Sequence, residues 1–339
     1  MKILAVESSC DETAAAVVED GRKIITNIIA TSADMHAKTG GVIPEVAARQ
    51  QIESILPVIT QALLETPLSQ IDALAVTVGP GLIGSLLVGV ETAKTLSYLW
   101  NKPLIPVNHL VGHIYANWLT GQKEPKFPCL ALVVSGGHTD LVLMTNHTQM
   151  DWISGTRDDA AGEAFDKTAR LLSLPYPGGP NLSKLAEQYL QTKNLEVEKL
   201  TYFPRPLSNE NTLDWSFSGL KTAVLKAVQN NVFSDRAELA AQIQEAIVDS
   251  LIEKIIVAID IYKPTSFLLA GGVAANKRLR EKFVSKLTTK KRVIDFHVPE
   301  IKLCTDNAAY IAGAAYYHNR PISWQKITAN PNLKITDVV

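Results

Sequence analysis

Cysteine is scarce. The 339 residues hold three, Cys10, Cys129 and Cys304, with no CxxC pair. An odd count without paired spacing excludes a disulfide framework and fits a reducing compartment. Excess positive charge is also lacking: 33 Lys+Arg stand against 34 Asp+Glu, a formal net charge of −1. That excludes a bulk basic nucleic-acid binder. A nucleic-acid partner has to be met by local patches such as "NKRLREK" (276–282) and "KLTTKKR" (286–292), which otherwise read as a solvated helix face and a loop. The first apolar run, in "MKILAVESS", is stopped by Glu7 and is too short for a signal peptide. The longest uncharged stretch, "ALAVTVGPGLIGSLLVGV" (73–90), is broken by Gly79-Pro80-Gly81 and again at Gly84. It reads as a buried strand, a glycine loop and a buried helix, not as a membrane span. A soluble cytoplasmic protein without membrane association is expected.

What is present is globular. Hydrophobic residues make up 46% and charged residues 20%, enough for one large or two medium cores. "KILAVESSCDETAAAVVED" reads as a strand (Ile3–Val6), a polar tip (Glu7–Thr13) and a second strand (Ala14–Val18). "PCLALVVSGGHTDLVLM" (128–144) has the same plan around Ser135-Gly136-Gly137. Two strand–glycine loop–helix units follow the hairpins, at 73–96 and at 266–283. Two matched pairs in the same order predict a duplicated α/β chain with a boundary near 110–127. The expected division is 1–125, 126–325 and a tail at 326–339. The glycine loops at 79–84, 135–137 and 271–272, with "YPGGP" at 176–180, are candidates for clamping a phosphate through backbone N–H groups. Amphipathic helices are expected over 45–66 and 237–262.

"VNHLVGHIYANW" carries His109 and His113 four residues apart, on one helical face and close enough to share a metal. The residue after His109 is Leu110 rather than the Glu of a zincin-type protease. Asp306, ahead of an Ala-rich helix, is the best third ligand, with a helix cap as its alternative role. Two histidines and a carboxylate leave coordination positions open and suit zinc or ferrous iron. "DDAAGEAFDK" (158–167) offers Asp158 or Asp159 as the cap of the helix that follows. Its acids could also meet ribose hydroxyls. "WSFSGLKT" reads as a Ser-capped helix start without the spacing of a hydrolase triad.

In order along the chain stand "ESSCDET", "GGVIPEVAARQ", "VGPGLIGSLLVG", "VNHLVGH", "LVVSGGHTDL", "DDAAGEAFDKTARLL", "YPGGP", "WSFSGLKT", "AGGVAANKRLR" and "CTDNAAYIA". Over roughly residues 1–320 this resembles the catalytic-subunit family of tRNA threonylcarbamoyladenosine synthases, once called O-sialoglycoprotein endopeptidases. The resemblance implies an α/β fold of the duplicated actin/Hsp70/sugar-kinase type, with two domains around a nucleotide cleft. It implies transfer of threonylcarbamoyl from threonylcarbamoyl-AMP to the exocyclic amine of the adenosine 3′ of the anticodon, in tRNAs reading codons that start with A. It carries over His109, His113 and Asp306 as ligands of Fe(2+) or Zn(2+). Val133, Val134, Ser135, Gly136, Gly137, Asp166, Gly179 and Asn276 carry over as substrate-binding positions. Implied partners are the tRNA anticodon loop, a shorter inactive paralogue and a P-loop ATPase, with the adenylate supplied by a separate synthase. Asp11, on the polar hairpin tip, is the candidate to accept the amine proton. The chain departs from the family at Thr39, where a Tyr is usual, and at Gln51, where a His is common; His36 remains. Ser183 stands where some members have Asp. The competing readings are a metalloprotease, a non-catalytic nucleotide-binding scaffold and a kinase or ATPase of the same fold.

Overall fold

In the computed structural model of the chain, residues 1–32, 41–119, 123–193, 200–289 and 293–339 are described. His36 and Thr39 lie outside them, as do parts of the expected linker and of the "KLTTKKR" patch. The predicted hairpin is β1 (Lys2–Glu7) paired antiparallel with β2 (Glu12–Glu19), in the register Leu4↔Val17. β3 (Lys23–Thr31) continues the meander on the far side of β2. On the other side of β1 come β4 (Ala73–Gly79) and β5 (Leu104–Asn108), both parallel to it. Helices α1 (Pro44–Ala62) and α2 (Ile83–Trp100) make the crossovers. Strand β4 is apolar at nearly every position and buried throughout, as a parallel strand covered on both faces requires.

The second half repeats this plan. β6 (Cys129–Val134), β7 (Thr139–Asn146) and β8 (Gln149–Gly155) form the meander. β9 (Ser266–Ala270) and β10 (Asp295–His297) are the parallel strands. The sheets run β3-β2-β1-β4-β5 and β8-β7-β6-β9-β10, the same order in each half. The duplication expected from the paired motifs is therefore present in the strand order of the two sheets. Helices α4 (Ala161–Leu171), α5 (Gly178–Lys193), α6 (Ser218–Gln229) and α7 (Arg236–Tyr262) join β8 to β9, and α8 (Lys277–Thr289) joins β9 to β10.

The two halves are tied by an exchange of helices. After β5 comes α3 (His109–Tyr115), which packs against β6 and β9 of the other sheet. After β10 comes α9 (Ala308–His318), which packs back against β1 and β2. Both helices fill an apolar layer between the sheets, with Ala5 and Ala16 on one side and Val133 and Leu268 on the other. Their contact is close: a Cβ on Gly112 would lie 2.7 Å from Ile311 Cδ1 and 2.8 Å from Tyr310 Cδ2. The C-terminal segment also returns to the first half, where Asn330 N donates to Val78 O and Asn108 Nδ2 to Lys334 O. No helix among the described residues is long and apolar enough to cross a membrane.

Candidate metal centre and nucleotide cleft

The helix exchange brings His109, His113 and Asp306 together although nearly two hundred residues separate them in sequence. Asn108 caps α3 by accepting from Leu110 N, and Asn307 caps α9 by accepting from Ala309 N and Tyr310 N. The cap of α9 is thus Asn307, which leaves Asp306 free to face the histidines. Asp306 Oδ1 lies 3.4 Å from His113 Nε2 and 3.7 Å from His109 Nε2. Ligands placed tetrahedrally ~2.1 Å from one ion are about 3.4 Å apart. Both ring nitrogens of buried His113 lack a hydrogen-bond partner, a costly state for an imidazole unless an ion satisfies one of them. The donor set therefore fits a divalent metal.

Glu7 supports this arrangement from behind. The residue that ends the first apolar run is fully buried, and its Oε2 lies 3.0 Å from His109 Nδ1. Thr77 Oγ1 donates to Glu7 Oε2 and Ser9 N to Oε1, each at 2.6 Å. A carboxylate on Nδ1 turns Nε2 toward the shared point and makes it more basic. Burial works against a charge on His109, but Glu7 and then Asp306 outweigh it and raise the ring to about 9. Burial of Asp306 is likewise outweighed, by His109 and His113, and its carboxyl is held far below the usual range. His113 is kept neutral by burial.

A second cluster lies in the other half. Ser135, Gly136 and Gly137 form the β6–β7 tip, and a Cβ on either glycine would meet nothing within 4 Å. His138 closes this tip, donating from its N to Ser135 Oγ at 3.2 Å. Burial lowers His138 to about 4, with the charge of His109 next among the causes. Val133 and Val134 are fully buried strand residues facing opposite apolar layers, so only their backbone can reach a ligand. A Cβ on Gly162 would lie 2.4 Å from Ser135 O, which lets α4 start directly behind the tip. Asp166, on α4, accepts from Gly179 N at 2.9 Å and so joins the "YPGGP" turn to the cluster. Asn276 follows the 271–272 loop. Its Nδ2 donates to Ser183 Oγ at 2.9 Å and Gln244 Oε1 at 3.0 Å, and its Oδ1 accepts from Leu279 N.

The hairpin tip of the first half faces both clusters. Burial, then the charges of Asp306 and Asp11, push the Glu12 carboxyl up to about 10. Asp11 is nearly buried. Tyr176 is raised by its burial and, next, by the charges of Asp11 and Asp166.

A family model described as tRNA N6-adenosine threonylcarbamoyltransferase matches residues 23–313. A tRNA N6-adenosine threonylcarbamoyltransferase of Dehalococcoides mccartyi strain BAV1 is 51% identical, covering 94% of this chain and 93% of its own. That of Moorella thermoacetica is 48% identical over 98% and 97%. The chain belongs to this family. A solved structure of full-length HypF in its phosphate- and nucleotide-bound form superposes with a TM-score of 0.60 at 12% identity, over 94% of this chain and 46% of HypF, and shows likeness of fold alone. Family membership makes the chain a threonylcarbamoyltransferase acting on tRNA and sets aside the protease, scaffold and kinase readings.

Several expectations need correction. The glycine loop at 79–84 is not an open phosphate cradle. Gly81 N donates to Pro331 O and Leu82 N to Ser9 O, while a Cβ on Gly79 would lie 1.8 Å from Asn330 O. Asp158 does not cap its own helix. It reaches across to the start of α6, accepting from Ser216 Oγ, Phe217 N, Ser218 N and Ser218 Oγ. Asp159 does not cap α4 either, whose N-cap is Ala160, but pairs with Lys167. The "NKRLREK" patch is largely engaged within the protein. Lys277 pairs with Glu187, Arg278 and Lys282 pair with Glu245, and Arg280 donates to Ala274 O and Pro299 O. Sequence reasoning missed Glu7, Gly112, Asn307, His138 and Tyr176 as site-building residues. "VGH" and "TDN" contained a signal for Gly112 and Asn307; the others depend on contacts between distant segments.

Proposed function

We propose that this transferase moves threonylcarbamoyl from threonylcarbamoyl-AMP to N6 of the adenosine 3′ of the anticodon, in tRNAs reading codons that start with A. The amine nitrogen attacks the carbamoyl carbon, the bond from that carbon to the phosphate oxygen breaks, and AMP leaves with the electron pair. Asp11 takes the proton lost by the amine. The leaving group is already good, so positioning and charge stabilisation are the main demands on the protein. Backbone N–H groups at Ser135, Gly136 and Gly137 hold the phosphate, with the backbone of Val133 and Val134 setting the tip. Asp166, Gly179 and Asn276 hold the ribose and the surroundings of the base. His109, His113 and Asp306 hold Fe(2+) or Zn(2+), whose chemistry when bound is that of a Lewis acid for a carbonyl or phosphoryl oxygen. Glu7 orients His109 for that task.

The observation that carries this reading is the His109–His113–Asp306 cluster, which stands in one chain with an open Gly136–Gly137 tip. The acceptor adenosine lies in a single-stranded loop, so turning its base into the cleft costs little unstacking. Units 1–125 and 126–325 then serve as a wall that carries the two metal histidines and a wall that carries the nucleotide loops and Asp306, with the tail 326–339 sealing the first glycine loop. The shorter inactive paralogue has an apolar surface to meet on packed helices α1 and α2, where Ile52, Leu56, Ile83 and Leu87 are exposed. A P-loop ATPase and a separate adenylate synthase complete the system, in the cytoplasm where tRNA is modified. The test combines the protein and its partners with threonine, bicarbonate, ATP and unmodified tRNA, and reads nucleosides by mass spectrometry. Threonylcarbamoyladenosine is expected; its absence would overturn the reading.

A further inference from the structure

Gln51 lies in α1 beneath the first hairpin tip and is 1% exposed. Its Nε2 faces three carbonyl oxygens of the tip, those of Cys10 at 2.9 Å, Glu12 at 3.1 Å and Ser8 at 3.4 Å. The other two tip carbonyls are also held from inside. Ser9 O accepts from Leu82 N and Asp11 O from Ser32 Oγ, each at 2.8 Å. Every carbonyl from Ser8 to Glu12 is therefore turned into the body of the first half; the two N–H groups of the Gln51 amide serve those of Cys10 and Glu12, with Ser8 O sharing one of them at 3.4 Å. In a planar trans peptide the carbonyl and the next N–H point opposite ways, so this anchoring also fixes where the N–H groups of the tip point, that of Ser9 toward Glu7 Oε1. Residues 8–11 lie outside both strand ladders, so β-pairing does not hold their carbonyls; Glu12 opens the β2–β3 ladder opposite Thr31. Gln51 Oε1 is buried without a partner. The reversed amide would set an oxygen against three carbonyl oxygens, so the chemistry fixes the orientation and the donor end is the useful one.

We propose that Gln51 is a positioning residue for the transfer reaction, clamping the carbonyls of Ser8, Cys10 and Glu12 and thereby aiming Asp11 and Glu12 into the cleft without touching substrate. The chemistry of this inference rests on the Asp11 assignment above; its geometry does not.

The test uses the full chain with its partners, premade threonylcarbamoyl-AMP and unmodified tRNA. Gln51→Met keeps the length and removes the donors. It should lower kcat by about 10- to 100-fold, the scale of a small misplacement of reacting groups. The KM for tRNA and the bound metal should stay within about 2-fold, because neither is held by the tip carbonyls. Gln51→His should regain most of the lost kcat. On an Asp11→Asn background, Gln51→Met should cost less than about 2-fold more, since both act through one group. A folded Gln51→Met protein with wild-type kcat would overturn the proposal, and so would losses that multiply in the double variant. Should Gln51→Met not fold at the assay temperature, the same cycle is run with Gln51→Asn, which withdraws the donors by one methylene, and the same two results decide. The double-variant criterion applies when Asp11→Asn itself lowers kcat. If Asp11→Asn keeps wild-type kcat while Gln51→Met lowers it, the proton-acceptor role of Asp11 falls and the same cycle is run on Glu12→Gln, where a full additional loss from Gln51→Met would overturn the clamp.

Discussion

The glycine loops after β4 and after β9 occupy the same place in two sheets of identical strand order, yet they do opposite things. The first is filled: Asn330 and Pro331 of the C-terminal segment lie on Gly79 and Gly81, and Ser9 O accepts from Leu82 N. The second is open at its outer glycine: a Cβ on Gly271 would lie 2.3 Å from Val134 O, but one on Gly272 would meet nothing within 4 Å, and neither would one on Gly136 or Gly137. Duplication has preserved the scaffold while the chain's own tail has closed one copy. A glycine loop read from sequence is therefore a statement about backbone freedom, and whether it binds anything depends on what the rest of the fold lays over it. The same division applies to side chains. The first half contributes His109 and His113 through a helix that crosses to the second sheet, and Asp306 precedes the helix that crosses back.

The largest effect should come from the crossing helices. His113→Ala removes one of three metal donors and should lower metal affinity by more than the ~10- to 100-fold typical of losing a supporting group, with transfer falling in step. Metal content by elemental analysis and nucleoside yield check this together. Next come the paired glycines. Gly79→Ala sets a Cβ 1.8 Å from Asn330 O at a φ of +149°. It should cost about 3 kcal/mol and lower the melting temperature by at least ~5 °C. Gly272→Ala should leave the melting temperature unchanged, and equal shifts in the two variants would erase the contrast between closed and open loops. Glu7→Gln keeps the shape but weakens the bond to His109 Nδ1. Metal affinity should fall by about 10- to 100-fold, read by competition with a chelating dye.

The smallest effect concerns Asp158. Burial is the largest single influence and raises its carboxyl, but the bonds from Ser216, Phe217 and Ser218 together outweigh it and lower the group. A lowered folded-state value means stability that is present above the ordinary Asp range and lost as the pH falls through the folded-state value. Asp158→Ala should cost about 1 kcal/mol at neutral pH, the scale of a helix cap. The deficit should disappear in strongly acidic buffer, where the wild-type cap is also protonated, as denaturant midpoints at the two pH values would reveal.

Much of this was legible in the sequence for physical reasons. Both hairpins, both strand–loop–helix units and the long helix at 236–262 have local patterns that specify them, and the histidine pair announces itself by spacing. Asp306 was legible as a carboxylate ahead of a helix, although its neighbour Asn307 is the residue that caps it. What was not legible is long-range. Nothing in "LAVES" marks Glu7 as the partner of His109, because that contact depends on β1 and α3 meeting. Nothing in "ANPNL" marks it as the cover of a loop 250 residues earlier. Nor does "DDAAG" say that Asp158 serves a helix sixty residues on.

The central claim is that the crossing helices build one metal site that serves the open loops of the second half. The most direct measurement follows metal content and threonylcarbamoyladenosine yield in the wild type and in Asp306→Ala, using premade threonylcarbamoyl-AMP, unmodified tRNA and the partner proteins. The account predicts that Asp306→Ala keeps its fold, loses its metal and loses product in proportion. Full product from metal-free Asp306→Ala would contradict it.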